Sequence, residues 1–252
     1  MKILEIDFRV PKQKLVDQST IYLYNNIYIN SPDLTGFTGI KYDKTVWEVF
    51  LMKEQVIISI SREYGTGGHE IANKIAEVHS LPLYDRNILE EVSRQKNVDV
   101  DNLTPYDEKP KNVLMSRTVR GHSNSVEEHI AKMQFDFIRE KAASGESFVI
   151  VGRCAETVLA DCKALIPIFI TGNMDKKIAR IMELYHLSEK DAIEKLRRHD
   201  KYRRKYHNSH SSTKWGDSRH YTLCINSSPL GIDGTVNTIE TMVKHILENR
   251  SK

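Results

Sequence analysis

Apolar and polar residues alternate along most of the chain in two rhythms, one typical of buried strands and one typical of amphipathic helices. From residue 56 onward, short runs rich in Val and Ile alternate with longer segments whose apolar residues recur every three or four positions. The predicted strands are Val56–Ile60, Leu81–Tyr84, Phe148–Val151, Leu165–Ile170 and Tyr221–Ile225. The predicted helices are His69–His79, Asn87–Gln95, Ser125–Ala143, Met174–Tyr185, Ser188–Tyr206 and Gly234–Glu248. This alternation predicts a three-layer α/β fold, with helices on both faces of a mainly parallel sheet.

Two segments depart from this pattern. Residues 97–123 are polar and contain proline and glycine, which predicts a mobile connection. Residues 1–51 contain no Ala, Cys or His and alternate like strands only within Ile21–Ile29. They are either a hairpin appendage, which is a poor independent core at this length, or translated upstream sequence. We hypothesise that Met52 is the native start, because codons for the residues just before it can contain a purine-rich ribosome-binding sequence. The predicted division is an N-terminal extension, 1–51, and one domain, 52–252.

Composition excludes several classes of protein. The 252 residues are 40% hydrophobic and 28% charged, which excludes collagen, a coiled-coil rod and wholesale disorder. The net charge of +3 is too small to indicate a nucleic-acid partner. Cys154, Cys162 and Cys224 have no CxxC spacing, which predicts reduced thiols and a cytoplasmic protein. No apolar run approaches the ~20 residues of a membrane helix, and charged residues interrupt the N-terminus. We therefore expect neither a nucleic acid nor a membrane as partner.

The most informative segment joins the first predicted strand to the first predicted helix. It reads VIISISREYGTGGHEIANKIA over Val56–Ala76, with a glycine-rich turn at Gly65, Thr66, Gly67 and Gly68. Glycines allow consecutive backbone N–H groups to point into one concavity, and the following helix N-terminus adds partial positive charge. This context is typical of a phosphate-binding loop.

The loop departs from the Walker A pattern at three positions. Gly65 and Gly67 occupy its fourth and sixth positions, but Arg62 replaces the first glycine. Gly68 replaces the lysine that contacts the β- and γ-phosphates, and His69 replaces the hydroxyl residue that holds Mg²⁺. From the pattern alone, phosphate binding and a merely structural strand-to-helix turn both remain open.

Several further blocks, in the same order along the chain, resemble the cytidylate kinase-like family of P-loop proteins. They are LPLYDRNIL at 81–89, VIVGRCAETVL at 149–159, IFITGNMDKKIARIMELYHLSEKDA at 168–192 and DKYRRKYHNSHSSTKWGDSRHYTLCINSSPLGIDG at 200–234. The resemblance covers 52–250 and none of 1–51. A loop without lysine is usual in that family, whereas position 69 is often Arg there. The resemblance implies a P-loop kinase fold with a helical lid, and ATP and Mg²⁺ as cofactors. It also implies a nucleoside monophosphate, CMP or dCMP, as acceptor.

The resemblance also implies roles for residues on the donor side. Gly65, Thr66, Gly67, Gly68 and His69 would hold the donor phosphates. Arg62 would replace the charge of the missing lysine, or else be a surface residue that pairs with Glu63 or Glu70. Arg180 would lie near the donor nucleotide, or else on a solvated helix face.

On the acceptor side, Gly152-Arg153-Cys154 resembles the Gly-Arg-Asp turn of cytidylate kinases. Arg153 can bind a phosphate through two hydrogen bonds, with a structural ion pair as the alternative. Cys154 stands where the Asp would be and cannot replace a carboxylate as acceptor for the cytosine amino group. Asp85 is assigned to the acceptor side, where it could ligate Mg²⁺ through water or cap the next helix.

The strongest basic cluster, RRHDKYRRKY at 197–206, resembles the helical lid of nucleoside monophosphate kinases. Asp200 and Arg203 match the family's Asp-x-x-Arg spacing, and Arg204 is expected on roughly the same helix face. Closure of such a lid would exclude water and suppress hydrolysis of ATP. Arg62, Arg180 and Arg203 are the predicted catalytic cations. A plain charged helix face and nucleic-acid binding are the alternatives.

The predicted function is transfer of the ATP γ-phosphoryl group to CMP or dCMP. Cys154 favours a small-molecule kinase with another acceptor as the alternative. The missing lysine and His69 favour a non-catalytic nucleotide-binding module as a third possibility. Trp215 is predicted to be a packing anchor, and His207 and His210 lack an evident third metal ligand.

Overall fold

A computed structural model describes residues 54–85, 87–96, 118–119, 122–123 and 125–250. The strands are β1 Ile57–Arg62, β2 Leu83–Tyr84, β3 Thr118–Val119, β4 His122–Ser123, β5 Phe148–Val151, β6 Leu165–Thr171 and β7 Leu223–Asn226. The helices are α1 Gly68–Val78, α2 Asn87–Lys96, α3 Val126–Ala143, α4 Ala155–Val158, α5 Met174–Tyr185, α6 Glu189–His210 and α7 Ser227–Arg250. A short 3-10 helix spans Ser218–His220.

The main sheet has five parallel strands in the order β2-β5-β1-β6-β7. β1 lies at its centre and pairs with β6 from Ile57 opposite Leu165 to Arg62 opposite Ile170. All six residues of β1 are buried, as expected for a strand covered on both faces. β1 therefore ends at a buried point in the middle of the sheet edge.

Helices cover both faces of this sheet. On one face, Ile58 and Ile60 pack with Ile71 and Ile75 of α1 and with the apolar side of α7. On the other face, Ile57, Phe148 and Ile150 pack with the apolar sides of α2 and α3. Burial of each such side chain contributes about 1.5–3 kcal/mol. The predicted three-layer α/β kinase fold is confirmed.

The structure moves some predicted boundaries. α6 continues to His210 rather than ending at Tyr206, and its N-cap Ser188 accepts a hydrogen bond from the Asp191 N–H at 3.2 Å. A short helix that the sequence did not predict begins directly after β7, at Ser227, and a break at Gly231 separates it from the predicted last helix. Gly231 has φ 66° and ψ −176°, a conformation open to glycine.

Two predictions fall largely outside the described residues. Of the segment 97–123, only β3 and β4 are described, and they pair antiparallel. Residues 1–51 and Met52 lie outside the described residues, so the division at residue 52 stays a prediction. Among the helices that are described, none is both long and apolar enough to span a membrane.

Candidate active site

Three neighbouring strands deliver the candidate site residues to one edge of the sheet. Residues 63–67 follow β1, residues 152–154 follow β5, and Asp85 follows β2. Because β2, β5 and β1 are adjacent and parallel, their carboxyl ends meet at the same edge. Open parallel sheets bind their ligands at this edge.

The loop after β1, residues 63–67, is shaped by its glycines. Gly65 and Gly67 have φ of 83° and 78°, values that side-chain-bearing residues rarely adopt. The Thr66 hydroxyl closes the turn by donating to the Glu63 carbonyl oxygen at 2.9 Å. Gly67 is the N-cap of α1 and accepts the first helical hydrogen bond from the Ile71 N–H at 2.9 Å. The N–H groups of the first turn of α1 precede any intrahelical acceptor, so this end of the helix favours an anion.

Gly68, which stands at the position of the Walker lysine, is in close contact with Arg62. A Cβ atom on Gly68 would lie 2.8 Å from both Cβ and Cγ of Arg62. Arg62 itself is buried. The aliphatic part of Arg62 therefore occupies the space that a side chain at position 68 would need, and it places an arginine beside the loop.

A partly buried ion pair, absent from the sequence predictions, supports the loop from α5. The Lys177 ammonium lies 2.7 Å from a carboxylate oxygen of Glu63. The same oxygen accepts from the Thr171 hydroxyl at 2.9 Å. A Cβ on Gly65 would lie 3.2 Å from the Lys177 Cβ, so this side chain passes directly against the loop. Its position four residues before buried Ile181 was the available signal.

The lid helix, α6, is attached to the loop through three side chains. His199 stacks on the Tyr64 ring with centroids 4.1 Å apart and an interplanar angle of 8°. Asp200 accepts a hydrogen bond from the Tyr64 N–H at 2.7 Å. Arg203 donates to the Arg62 carbonyl oxygen at 3.3 Å and lies over the Tyr64 ring. Burial is the main cause that raises the pKa of Asp200 above its usual range.

Two more of the predicted arginines, Arg180 and Arg204, have different surroundings. Arg180 pairs with Glu70 at 2.7 Å, and its guanidinium carbon would be 3.7 Å from a Cβ on Gly67. It therefore stands over the glycine loop. The Arg204 guanidinium instead lies over the Trp215 ring at 5.6 Å, so the structure does not bring Arg204 to the loop with Asp200 and Arg203.

The turn after β5, residues 152–154, holds three successive left-handed residues. Gly152, Arg153 and Cys154 have φ of 74°, 59° and 51°. A non-glycine residue in this conformation costs on the order of 1–3 kcal/mol, and such strain concentrates at functional sites. Arg153 is only 1% exposed, so the strained turn places a buried guanidinium at the edge of the sheet.

Asp85 connects this turn to the helix that follows the glycine loop. One carboxylate oxygen lies 2.9 Å from His69 Nδ1, and the other lies 3.9 Å from an Arg153 nitrogen. The structure thus brings His69, Asp85 and Arg153 together. The Asp85 side chain is engaged by these two residues, while its main-chain oxygen accepts from the Ile88 N–H.

Cys154, the last residue of the turn after β5, has apolar neighbours. It is buried in an apolar cluster with Tyr206 of α6 and Ala131 of α3. The thiol is therefore part of the contact between the turn and the lid helix.

The residues at this edge of the sheet suit a nucleoside triphosphate better than a metal ion held by protein side chains alone. Among the residues that the structure describes, no three His, Cys, Asp or Glu side chains form a metal-binding group. Mg²⁺ commonly keeps several waters and is held by one or two carboxylates together with substrate phosphates. Asp85 is the candidate carboxylate, while the glycine loop and the start of α1 fit the phosphates.

The predicted packing role of Trp215 agrees with its surroundings, because its ring meets Phe169 edge-to-face at 5.3 Å. His207 and His210 do not face one metal: His207 pairs with Glu156, and His210 packs against Phe135 and Tyr206.

A parallel sheet of this order, with a glycine loop between its central strand and a helix, defines the class as a P-loop kinase. The sequence profile of the cytidylate kinase-like family matches residues 57–229. The chain therefore belongs to the cytidylate kinase-like family, which confirms the resemblance and makes phosphoryl transfer its class of reaction.

Solved structures extend this comparison. An uncharacterised protein from Eubacterium ventriosum ATCC 27560 is 37% identical, with a TM-score of 0.59 over 75% of this chain and 98% of its own. A shikimate kinase from Bacteroides thetaiotaomicron is 12% identical, with a TM-score of 0.46 over 75% of this chain and 98% of its own. The second likeness is too distant to carry functional information. No curated protein matches the chain.

Proposed function

We propose that this protein transfers the γ-phosphoryl group of ATP to a nucleoside monophosphate, with CMP or dCMP as the first candidates. The observation that carries the proposal is the convergence of two anion-binding features at one sheet edge. The glycine loop and the start of α1 lie beside the buried Arg153 and its neighbour Asp85. Membership of the cytidylate kinase-like family supports the choice of acceptor.

Each residue has a distinct part in the proposed reaction. The N–H groups of residues 65–69 bind the donor phosphates, and Arg62 and Arg180 add positive charge beside them. Arg153 binds the acceptor phosphate through its guanidinium fork. Arg203, on the lid helix, stabilises the charge of the transferring group.

Protein groups in such a reaction act mainly by positioning and electrostatic stabilisation. ATP with Mg²⁺, when bound, supplies the phosphoryl group and a further compensating charge. A nucleoside monophosphate attacks through an oxygen of its phosphate group. That group carries nearly two negative charges near neutral pH, so the attack needs no general base. The chain's task is therefore to hold two phosphate chains in line and to exclude water, which the attached lid helix would do.

An ADP-release assay over a panel of nucleotides and hydroxyl-bearing metabolites tests the proposal. We expect turnover with CMP or dCMP to exceed that with AMP, GMP and UMP. Background hydrolysis of ATP without acceptor is subtracted as the control. Turnover confined to acceptors that are not nucleotides would contradict the proposal.

A second candidate, a small-molecule kinase on the same fold, is favoured by the position of Cys154. Cys154 is buried in an apolar cluster with Tyr206 and Ala131. The position that would read the cytosine amino group therefore offers no carboxylate. Turnover only with another acceptor in the same panel would support this candidate. ATP binding without turnover on any acceptor would instead indicate a non-catalytic nucleotide-binding module.

A further inference from the structure

A second buried group of polar side chains lies next to the turn after β5, residues 152–154, which we call the acceptor turn. The proposed reaction leaves this group without a role. His207 Nε2 of α6 is 2.7 Å from Glu156 Oε1 of α4, and the two side chains are 4% and 3% exposed. The Ser61 hydroxyl of β1 donates to the other Glu156 oxygen at 3.2 Å. These three residues connect the strand before the glycine loop, the helix after the acceptor turn, and the lid helix.

The hydrogen bonds indicate where the protons of this pair lie. The Trp215 N–H donates to Asn208 Oδ1 at 2.9 Å, which identifies that side-chain atom as the oxygen. The same oxygen is 3.2 Å from His207 Nδ1, so Nδ1 carries a hydrogen. A second proton lies between Nε2 and the Glu156 carboxylate. The pair thus has the composition of an imidazolium and a carboxylate, joined by a charge-assisted hydrogen bond.

The contact between Glu156 and His207 is a buried ion pair. Buried charges of this kind are tolerated when paired, and removal of only one partner is strongly unfavourable.

Two further contacts join the same segments. Tyr206, beside His207, packs on Cys154 of the acceptor turn. The Thr157 hydroxyl of α4 donates to the Ser211 hydroxyl at the end of α6 at 2.8 Å. The C-terminal third of the lid helix is thus fixed to residues 154–157, while its middle is attached to the glycine loop through Asp200 and Arg203.

We infer that Glu156 and His207 are positioning residues, whose buried ion pair fixes the lid helix to the turn that carries Arg153. This inference rests on the proposed phosphoryl transfer, because it assigns the pair a role in presenting the acceptor. Both side chains are almost completely buried. Their effect passes through the turn and through α6.

The chain offers a matched control in a second buried His–Glu pair. His79 Nε2 lies 3.1 Å from Glu240 Oε1, and these side chains are 1% and 2% exposed. His79 follows the C-terminal end of α1, whose 11 residues place it about 16 Å from the glycine loop. Loss of this pair tests the cost of breaking a buried ion pair away from the site.

The first test compares acceptor kinetics of variants at both pairs. His207→Gln leaves the Glu156 carboxylate buried without its cation, and we expect the acceptor KM to rise about tenfold. Glu156→Gln is expected to change KM less than about threefold, since a neutral imidazole can accept from the new amide. The double variant Glu156→Gln/His207→Gln should return to within about threefold of wild type. His79→Gln should lower the melting temperature while KM stays within about twofold.

The second test is hydrogen exchange of the free protein, which needs no acceptor. We expect His207→Gln to speed amide exchange in residues 203–211 at least about tenfold, and the double variant to reverse this. His79→Gln should leave those amides unchanged. An effect of His207→Gln on KM and exchange no greater than that of His79→Gln would overturn the inference. Absence of turnover in wild type would refute the proposed function, while the exchange experiment would still decide the role of the pair.

Discussion

Two turns follow neighbouring buried strands at the same edge of the sheet, yet they present different chemistry. The loop after β1 has left-handed backbone conformations at Gly65 and Gly67, which glycine adopts without strain because it has no Cβ atom. The turn after β5 reaches it at Gly152, Arg153 and Cys154, two of which carry strain. The first turn therefore offers backbone N–H groups, whereas the second positions one particular side chain.

This difference bears on the two departures from known motifs, Gly68 in the Walker A pattern and Cys154 in the Gly-Arg-Asp turn. In the proposed reaction, phosphate recognition by backbone N–H groups is compatible with Gly68 in place of the Walker lysine, provided that other residues supply the positive charge. In the same proposal, recognition of the acceptor depends on the side chains of the turn, so Cys154 in place of Asp is expected to alter which acceptor is bound. We therefore expect the donor phosphates to be bound through backbone groups that many sequences can supply. Binding of the acceptor is expected to depend on the particular side chains of this chain.

The largest expected effect tests whether the lid helix supplies the cation that the loop lacks. Arg203→Ala should lower kcat by ~10³-fold or more, as for an arginine that stabilises the transferring phosphoryl group. Arg204→Ala, at the next position but over Trp215, is the matched control and should lower kcat less than about threefold. Steady-state kinetics with saturating ATP measure both. A loss below about threefold for Arg203→Ala would remove Arg203 from the site.

The next effect tests the side-chain chemistry of the acceptor turn. Arg153→Lys keeps the charge but loses the planar fork, so we expect kcat/KM for the acceptor to fall by about 10²-fold. The KM for ATP should change little. Arg139→Lys, at an exposed ion pair with Asp136 on α3, is the control and should behave like wild type. Equal effects on donor and acceptor would contradict the division between the two turns.

The elements that define these turns were predictable from local pattern. The bounds of Phe148–Val151 and Met174–Tyr185 agree with the predictions, because periodicity and flanking residues specify them locally. The fold class and family are confirmed as well. The CMP acceptor and the roles of individual residues stay predictions.

The contacts that support the turns were not predictable in the same way. Lys177 meets Glu63 across 114 positions of sequence, and His207 meets Glu156 across 51. A helical period shows which face a residue occupies, but not which strand or turn packs against that face. Arg204 was expected on roughly the same helix face as Arg203, but the helical period did not show that Trp215 lies next to Arg204.

A smaller effect tests the space beside the loop. A Cβ on Gly68 would meet the Arg62 side chain at 2.8 Å, so Gly68→Ala should displace Arg62 and raise the KM for ATP about tenfold. Gly145→Ala, where a Cβ meets nothing within 4 Å but φ is +80°, should lower stability and leave KM unchanged. Unaltered ATP kinetics in Gly68→Ala would show that Arg62 does not need its present position.

The smallest effect tests whether the loop needs the charge of Asp200 or only its oxygen. Asp200→Ala removes the acceptor of the Tyr64 N–H and should lower the free energy of unfolding by about 1–3 kcal/mol. Asp200→Asn keeps an oxygen acceptor and removes a carboxylate whose pKa is raised mainly by burial. Because the folded state of wild type holds this proton more tightly than the unfolded state, wild-type stability falls as pH rises from the unfolded pKa through the folded one. We therefore expect Asp200→Asn to match wild type at pH 3 and to exceed it in urea unfolding at pH 7. A variant less stable than wild type at pH 7 would instead show that the loop depends on the charge itself.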